Sequence, residues 1–260
     1  MCFKKKSISW PHSNRVAIIS AINDYPGGQN DLNCCLNDLE LSASRLGALG
    51  FQLRLFRDSQ VTRQQFRDQL AYAFTHAIAG DYIWIDYSGH GSNVADRNGD
   101  EPDGRDETLY LYDGNFLDDE TDALCKLIPE GVTVVFFLDS CFSGSATRLA
   151  GGEISRRIRY MPPEHPVGNF KRVKRAIQPD YNRIVISACL ENESAEEGMI
   201  GETCNGVAHA YLWATYKPGE TWDEWFKRLR MYVPNKNFSQ TPTLEIAESR
   251  LSEVAIPINS

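Results

Sequence analysis

The sequence predicts an α/β fold with a mostly parallel central sheet and helices on both of its faces. Short apolar runs bounded by turn residues alternate with segments of helical periodicity along most of the 260 residues. The run from Val134 to Leu138 is apolar throughout, which is typical of a parallel strand that is buried on both faces. Strands that alternate with helices of this length form sheets that helices cover on both sides.

The first half of the chain establishes this alternation. Residues 16–21 form an apolar run that ends in a turn-rich segment, and they predict the first strand. Apolar residues recur at helical spacing from 32 to 46, which predicts a helix that ends before Gly50. Alternating apolar residues at 51–55 predict the second strand. Thr62 and Gln65 form a capping box that predicts the start of the next helix, and residues 82–87 follow as the third strand.

The second half continues the alternation after an acidic loop at 96–122. A helix is predicted at 117–127, a fourth strand at 134–138 and a fifth strand at 183–188. Between these two strands, residues 148–175 are rich in Arg, Lys, Pro and Gly, which predicts an exposed linker. A further helix is predicted at 204–214, and Thr221 with Glu224 forms the capping box of the last one.

Length and charge narrow the functional classes. A chain of 260 residues suits one large α/β domain. Its net charge of −8 argues against a nucleic-acid partner and favours peptides that carry positive charge. No apolar segment reaches the roughly 20 residues of a membrane span, and none near Met1 resembles a signal peptide, so no membrane partner is expected. The seven cysteines are an odd number, which favours a reduced, cytoplasmic location.

Two reactive side chains follow the ends of predicted strands. The third strand runs into His90 and the fourth into Cys141, each within a turn of small residues. Active sites of parallel sheets lie at the carboxyl ends of the strands, where an imidazole can activate a thiol for attack on a peptide carbonyl. The amides of Gly91 and Cys141 are then the expected oxyanion hole. Either residue alone is more often structural, but together at two strand ends they predict a catalytic pair.

At this point the sequence resembles a known family. The blocks at 88–91 (SGHG) and 139–144 (DSCFSG) resemble the histidine and cysteine motifs of metacaspases and their prokaryotic relatives. The resemblance runs from about Val16 to about Leu244 and includes the segments 37–38, 103–107, 187–189 and 240–242. It implies a single caspase-like domain over 1–260, with a large catalytic portion at about 14–147, a basic exposed linker at about 148–180 and a small portion at about 181–260.

The resemblance also implies a substrate class. Caspases cut after Asp and carry a different motif around the cysteine, whereas the metacaspase pocket is acidic and its positions match Asp38, Ser88 and Asp139. Carboxylates bind a guanidinium or an ammonium through charge-assisted hydrogen bonds. The implied function is a cysteine endopeptidase that cleaves proteins or peptides after Arg or Lys. Because the linker at 148–175 contains many such residues, self-processing within it is predicted as well.

Calcium stimulation is a further implication. Many metacaspases need calcium, and the carboxylates of that site match Asp106, Asp118 and Asp119 here. Hard oxygen ligands suit Ca²⁺. A fourth carboxylate of the family falls on Arg148, so the set is incomplete in this chain. The alternative is a solvated acidic loop that repels acidic substrates.

Two functional alternatives stay open. One is a catalytically silent caspase-like scaffold, against which the presence of both reactive residues argues. The other is a cysteine peptidase of the same fold that cuts after another residue, such as Asn. The other histidines and cysteines, His209, Cys34 and Cys204 among them, lack a partnered motif or a zinc-site spacing and are expected to be structural.

Overall fold

A computed structural model describes residues 14–95, 105–141, 157–162, 183–190 and 193–257. The strands in this part of the chain are β1 (Arg15–Ala21), β2 (Gln52–Arg57), β3 (Tyr82–Ser88), β4 (Gly91–Ala95), β5 (Arg105–Leu111), β6 (Gly114–Leu117), β7 (Thr133–Asp139), β8 (Arg157–Ile158), β9 (Arg183–Ser187), β10 (Glu196–Ile200), β11 (Thr203–Gly206) and β12 (Thr243–Glu245). The α-helices are α1 (Cys35–Ala48), α2 (Arg63–His76), α3 (Asp118–Cys125), α4 (Val207–Thr215) and α5 (Trp222–Tyr232).

Within the described residues, the central sheet has six strands in the order β12-β9-β7-β3-β1-β2. All of its neighbouring strands run parallel except β12, which pairs antiparallel with β9 at one edge. Strand β3 lies between β1 and β7, and Ser88 at its end is directly opposite Asp139 at the end of β7. The loops that follow these two strands therefore leave from the same edge of the sheet.

Helices cover both faces of this sheet. On β3, Tyr87 packs edge-on against Phe66 of α2, whereas Trp84 packs against Trp213 of α4. Residues three apart on a strand point to opposite faces, so α2 and α4 lie on opposite sides. Helices α1 and α5 pack beside α4, and α3 packs beside α2. The predicted α/β architecture, with a mostly parallel sheet and helices on both faces, is confirmed.

The predicted helix starts follow the capping chemistry closely. The hydroxyl of Thr62 accepts a hydrogen bond from the amide of Gln65 at the start of α2, and Thr221 caps α5 in the same way through Glu224. The helix expected at 204–214 begins only at Val207. The residues before it form β11, which pairs with β10 in an antiparallel hairpin that the apolar pattern did not indicate.

Two cysteines are joined in the structure. Cys34 and Cys204 form a disulfide between the residue before α1 and strand β11, with their Cα atoms 5.1 Å apart. The cysteine count did not predict this pair, because only the fold brings two positions 170 residues apart into contact. Cys35, Cys125, Cys141 and Cys189 are free and buried. Among the described residues, no helix has both the length and the apolar character needed to cross a membrane.

Candidate active site

The carboxyl ends of β3 and β7 bring the two predicted reactive residues to one edge of the sheet. His90 and Cys141 each lie two residues beyond the paired positions Ser88 and Asp139. Both side chains are buried, with 4% of His90 and none of Cys141 exposed. The region in which they lie excludes bulk water, which strengthens electrostatic interactions there.

His90 is held in one orientation by main-chain and aromatic groups. Its Nε2 atom lies 2.7 Å from the carbonyl oxygen of Asn30, and its ring packs against Tyr25. A carbonyl can only accept, so Nε2 carries the proton and Nδ1 is the acceptor of the neutral ring. Nδ1 is buried and has no hydrogen-bond partner among the described residues. Burial lowers the pKa of His90 to about 4, which keeps the ring neutral near pH 7.

The thiol of Cys141 is bound to a main-chain segment on the other side of the site. Its Sγ donates to the carbonyl of Ala195 at 3.2 Å and accepts from the Ala195 amide at 2.6 Å. Within the described part of the chain, no hydrogen bond joins this sulfur to His90. A hydrogen bond with Cys141, together with burial, raises the pKa of the neighbouring Cys189 thiol. Cys141 must therefore turn away from Ala195 before it can exchange a proton with His90.

The two amides expected to form an oxyanion hole converge on one carbonyl oxygen. The oxygen belongs to Arg159, and it accepts hydrogen bonds from Gly91 N at 2.9 Å and from Cys141 N at 3.0 Å. Glycine is required for this approach, because a Cβ at position 91 would overlap the carbonyl of Cys141. The predicted donors thus already bind a peptide carbonyl of the chain itself.

The side chain of the same arginine fills the predicted specificity pocket. Its guanidinium lies 2.6 Å from Asp38 Oδ2 and 3.0 Å from Asp139 Oδ2. A third hydrogen bond, of 2.9 Å, runs from Nη1 to the hydroxyl of Ser88. The three residues of the predicted pocket therefore meet around one buried Arg side chain.

The charges of this pocket stabilise one another. Burial by itself lowers the pKa of the Arg159 guanidinium, but Asp139, Asp38 and other nearby negative groups more than offset this, and the pKa is raised. Burial also opposes ionisation of Asp139, yet Arg159 and His209 hold the pKa of that carboxyl below its usual value. Arg159 and Asp139 therefore both stay charged near neutral pH, as a buried ion pair requires.

A third carboxylate, Glu197, lies in this pocket and was not predicted. It belongs to β10, is buried, and places Oε2 3.3 Å from Nη2 of Arg159. It also accepts hydrogen bonds from the amides of Asn33 and Cys34 just before α1. No motif could indicate the role of Glu197, because β10 was not predicted and the side-chain hydrogen bonds of Glu197 are with residues at least 38 positions away.

His209 links the pocket to the sheet interior. Its Nδ1 lies 2.7 Å from Asp139 and its Nε2 lies 2.8 Å from Asp86 of β3. Burial opposes protonation, but Asp86 and Asp38 together with hydrogen bonds to Asp139 and Asp86 raise the pKa of His209 to about 10. We expected a structural residue, and the structure makes it the cationic support of a pocket carboxylate. A histidine inside the apolar segment of α4 was the available signal for such a buried network.

Strand β11 completes the pocket wall. Gly206 N and Asn205 Nδ2 each lie 2.9 Å from Oδ1 of Asp38 and hold this carboxylate in place. A Cβ at position 206 would overlap both the Asp139 carboxylate and the Arg159 guanidinium. The pocket is therefore shaped by a glycine as well as by charge.

Comparisons with known proteins assign this arrangement to a family. A model described as the caspase domain matches residues 14–251. The chain belongs to the caspase domain family. Metacaspase-1 of Schizosaccharomyces pombe is 34% identical over 150 residues, which cover 52% of this chain and 35% of that protein. Metacaspase-1 of Saccharomyces cerevisiae is 31% identical over 285 residues, covering 88% of this chain and 66% of that protein. The chain thus spans less than two thirds of these relatives.

Solved structures agree with this caspase-domain assignment. A structural-genomics protein from Geobacter sulfurreducens has a TM-score of 0.73 and 26% identity, with coverage of 94% of this chain and 99% of that one. Caspase-1 from Spodoptera frugiperda has a TM-score of 0.57 and 13% identity, covering 90% of this chain and 86% of that one, and it supports the fold alone. The caspase fold predicted from the sequence motifs is confirmed.

The carboxylates predicted to bind calcium lie apart from this caspase-domain pocket. Asp106 is on β5, whereas Asp118 and Asp119 begin α3. In the part of the chain that the structure describes, the only three potential ligand residues whose donor atoms lie within 4.8 Å of one another are Asp38, Asp139 and His209. The cation beside those three is the Arg159 guanidinium. Arg148 and most of the predicted linker lie outside the described residues.

Proposed function

We propose that this chain is a cysteine endopeptidase that cleaves after Arg, and less efficiently after Lys, with Cys141 as nucleophile and His90 as general base. The observation that carries this proposal is the placement of Arg159. Its guanidinium lies between Asp38 and Asp139, and its carbonyl oxygen accepts from the amides of Gly91 and Cys141. The side chain of Arg159 therefore fills the specificity pocket while its carbonyl oxygen occupies the oxyanion hole, and a substrate residue must make both sets of contacts.

The first chemical step forms an acyl-enzyme. The sulfur of Cys141 bonds to the carbonyl carbon of the arginine, and the thiol proton passes to Nδ1 of His90. Negative charge on the carbonyl oxygen is stabilised by the Gly91 and Cys141 amides, which already point at that oxygen. His90 then protonates the leaving amine as the carbon–nitrogen bond breaks. The carbonyl of Asn30 binds the protonated Nε2 and so leaves Nδ1 as the proton acceptor of the ring.

The second step hydrolyses the thioester. His90 removes a proton from water, whose oxygen attacks the carbonyl carbon in the same oxyanion hole. The bond to sulfur breaks, and Cys141 regains a proton from His90. The low pKa of His90 keeps Nδ1 available as a proton acceptor at the start of each step.

The pocket charges explain the proposed preference. Asp38 and Asp139 contact different nitrogens of one planar guanidinium, and Ser88 binds the nitrogen that faces Asp139. A lysine ammonium offers one compact charge and cannot span both carboxylates in this manner. An aspartate would add a carboxylate to a pocket of carboxylates, an uncompensated cost of several kcal/mol.

Self-processing follows from the same placement. The bond after Arg159 joins it to Tyr160, and the carbonyl of that bond is the one held by the two amides. We therefore assign the Arg159–Tyr160 bond as the self-cleavage site within the basic linker. Cleavage requires Cys141 to leave Ala195 and face this carbonyl.

Calcium stimulation and a cytoplasmic location remain predictions. Asp106, Asp118 and Asp119 supply hard oxygen atoms, but they do not form a ligand cluster among the described residues. A calcium titration of wild type and Asp118→Ala tests the first prediction. Activity that is equal in excess chelator and in millimolar calcium would reject it.

The test of the main proposal is a panel of fluorogenic peptides that differ only in the residue before the scissile bond. We expect turnover in the order Arg, then Lys, with Asn and Asp uncleaved, and no turnover by Cys141→Ala. Cleavage after Asn as fast as after Arg supports the same-fold alternative instead. A folded chain that cleaves none of the peptides supports the silent scaffold.

A further inference from the structure

Strand β4 lies beside the proposed scissile position. Among the described residues it is an edge strand of the three-stranded sheet β4-β5-β6, and it begins at Gly91, whose amide belongs to the proposed oxyanion hole. Sheet edges present unpaired main-chain groups that can bind an extended peptide as an added strand. The side of β4 away from β5 therefore offers a binding surface to the residues after the cleaved bond.

The chain's own residues occupy this edge in an extended conformation. Tyr160 forms a parallel bridge with Gly91. The amide of Met161 donates to the carbonyl of Gly91 at 2.8 Å, while the Gly91 amide donates to Arg159. Gly91 thus binds the main chain on both sides of the Arg159–Tyr160 bond.

Two buried polar side chains of β4 extend these contacts. The hydroxyl of Ser92 donates to the carbonyl of Met161 at 2.7 Å. The side-chain amide of Asn93 lies 3.3 Å from the phenolic oxygen of Tyr160. Ser92 and Asn93 are 1% and 3% exposed. The Ser92 hydrogen bond is fully buried, whereas the Asn93 hydrogen bond is part-buried because Tyr160 itself is only half-buried.

We propose that β4 is the recognition strand for the two residues that follow the scissile bond, and that Asn93 selects a tyrosine directly after the cleaved arginine. The inference rests on the proposed peptidase function and extends it to substrates containing Arg-Tyr. At the next position Ser92 and Gly91 bind only the main chain of Met161, whose side chain is buried in the hydrophobic core. Asn93 binds the phenolic hydroxyl of the tyrosine. A site that hydrogen-bonds a substrate hydroxyl discriminates against a substrate that lacks it.

The experiment uses two internally quenched peptides, Arg-Ile-Arg-Tyr-Met and Arg-Ile-Arg-Phe-Met, in otherwise identical flanking sequence. With the full-length wild-type chain, we expect kcat/KM to be about fivefold higher for the Tyr peptide, the size of one neutral hydrogen bond. Equal rates for the two peptides overturn the proposal. An Arg coumarin amide, which has no amino acid after the arginine, is the control for the peptidase itself. If wild type fails to cleave that amide, the proposed function fails rather than this inference.

Two enzyme variants, each assayed on both peptides, test whether Asn93 causes the preference for Tyr over Phe. Asn93→Ala is expected to abolish the Tyr over Phe preference, whereas Asn115→Ala, on β6 at the far edge of the same sheet, is expected to keep it. A preference that persists in folded Asn93→Ala assigns the discrimination to another residue and overturns the proposal. An equal loss by Asn93→Ala on the Tyr peptide and on the coumarin amide also overturns it, since Asn93 would then act on the site as a whole.

Discussion

The carbonyl oxygen of Arg159 lies 3.0 Å from the amide nitrogen of Cys141, the residue whose thiol is the proposed nucleophile. The chain's own residue therefore occupies both the proposed specificity pocket and the proposed oxyanion hole. Under the proposed function, an external peptide would have to displace Arg159 from these contacts. Substrate cleavage and self-processing are then predicted to compete for them.

Replacing Arg159 is expected to stop self-cleavage at this bond. Arg159→Gln removes the charge that Asp38 and Asp139 bind, so the fragments 1–159 and 160–260 should not form. Arg159→Lys keeps one charge and should be cleaved more slowly than wild type. Intact-mass spectrometry of incubated protein follows both fragments after reduction of the Cys34–Cys204 disulfide, which would otherwise join them.

The control for this prediction is Arg157→Gln. Arg157 lies two residues earlier on β8, is only partly buried, and contacts the carbonyl of Asp31 rather than the pocket carboxylates. This variant should still be cut after Arg159. Appearance of the 1–159 fragment from Arg159→Gln would contradict the assignment of the bond.

Glu197→Gln is expected to weaken arginine binding without removing the pocket. Gln keeps the shape of the side chain but removes a negative charge that lies 3.3 Å from Nη2 of Arg159. A hydrogen bond to a charged group contributes about 1.5–3 kcal/mol, so kcat/KM for Arg peptides should fall at least about tenfold, mainly through KM. The matched control is Glu202→Gln, an exposed residue between β10 and β11. Equal kcat/KM for Glu197→Gln and wild type would show that Glu197 only supports α1.

The central sheet could be predicted because its strands carry their own signal. β1, β3 and β7 are almost continuously apolar, as burial on both faces demands. Strands β4 and β10 contain Gly, Ser, Asn or Glu and have no such pattern. They form because neighbouring segments pair with them in the folded chain, and tertiary pairing of this kind overrides local propensity.

The residues of the candidate site were likewise predictable only in part. His90 and Cys141 follow recognisable strand ends, and the family motifs led to Asp38, Ser88 and Asp139. His209 contacts Asp86 and Asp139 across 123 and 70 residues. No local sequence pattern encodes a contact of that range, so the cationic support of the pocket could only be found in three dimensions.

Gly206→Ala is expected to damage substrate binding severely. The added Cβ would overlap the carboxylate of Asp139 and the position of the arginine guanidinium. A displacement of about 1 Å at a reacting centre costs roughly a hundredfold in rate, so kcat/KM for Arg peptides should fall by about that factor. Gly47→Ala in α1 is the control, because its Cβ would make an ordinary contact of 3.5 Å with Leu53. An unchanged kcat/KM in Gly206→Ala would contradict the assigned pocket wall.

His209→Gln is expected to destabilise the fold in a pH-dependent way. In the folded chain, Asp86 and Asp38 help to raise the pKa of His209 from 6.5 to about 10. A raised histidine pKa contributes stability that is fully present below the unfolded pKa, declines above about pH 6.5 and is lost as the pH passes about 10. Removing the cation leaves Asp86 and Asp139 without their shared partner, a cost on the order of 3–5 kcal/mol near pH 6.

Urea unfolding measures this loss, with Cys141→Ala as the background so that self-cleavage does not interfere. The difference in unfolding free energy between this background and its His209→Gln derivative should be largest at pH 6 and should shrink steadily toward pH 10. Both proteins share every other titrating group, so the difference isolates His209 and the carboxylates that respond to its loss. A difference that stays constant from pH 6 to pH 10 would mean that His209 supports the pocket by shape alone. A difference that follows the predicted decline makes the charge of His209 the source of the stability, and the same charge helps to hold the pKa of Asp139 below its usual value.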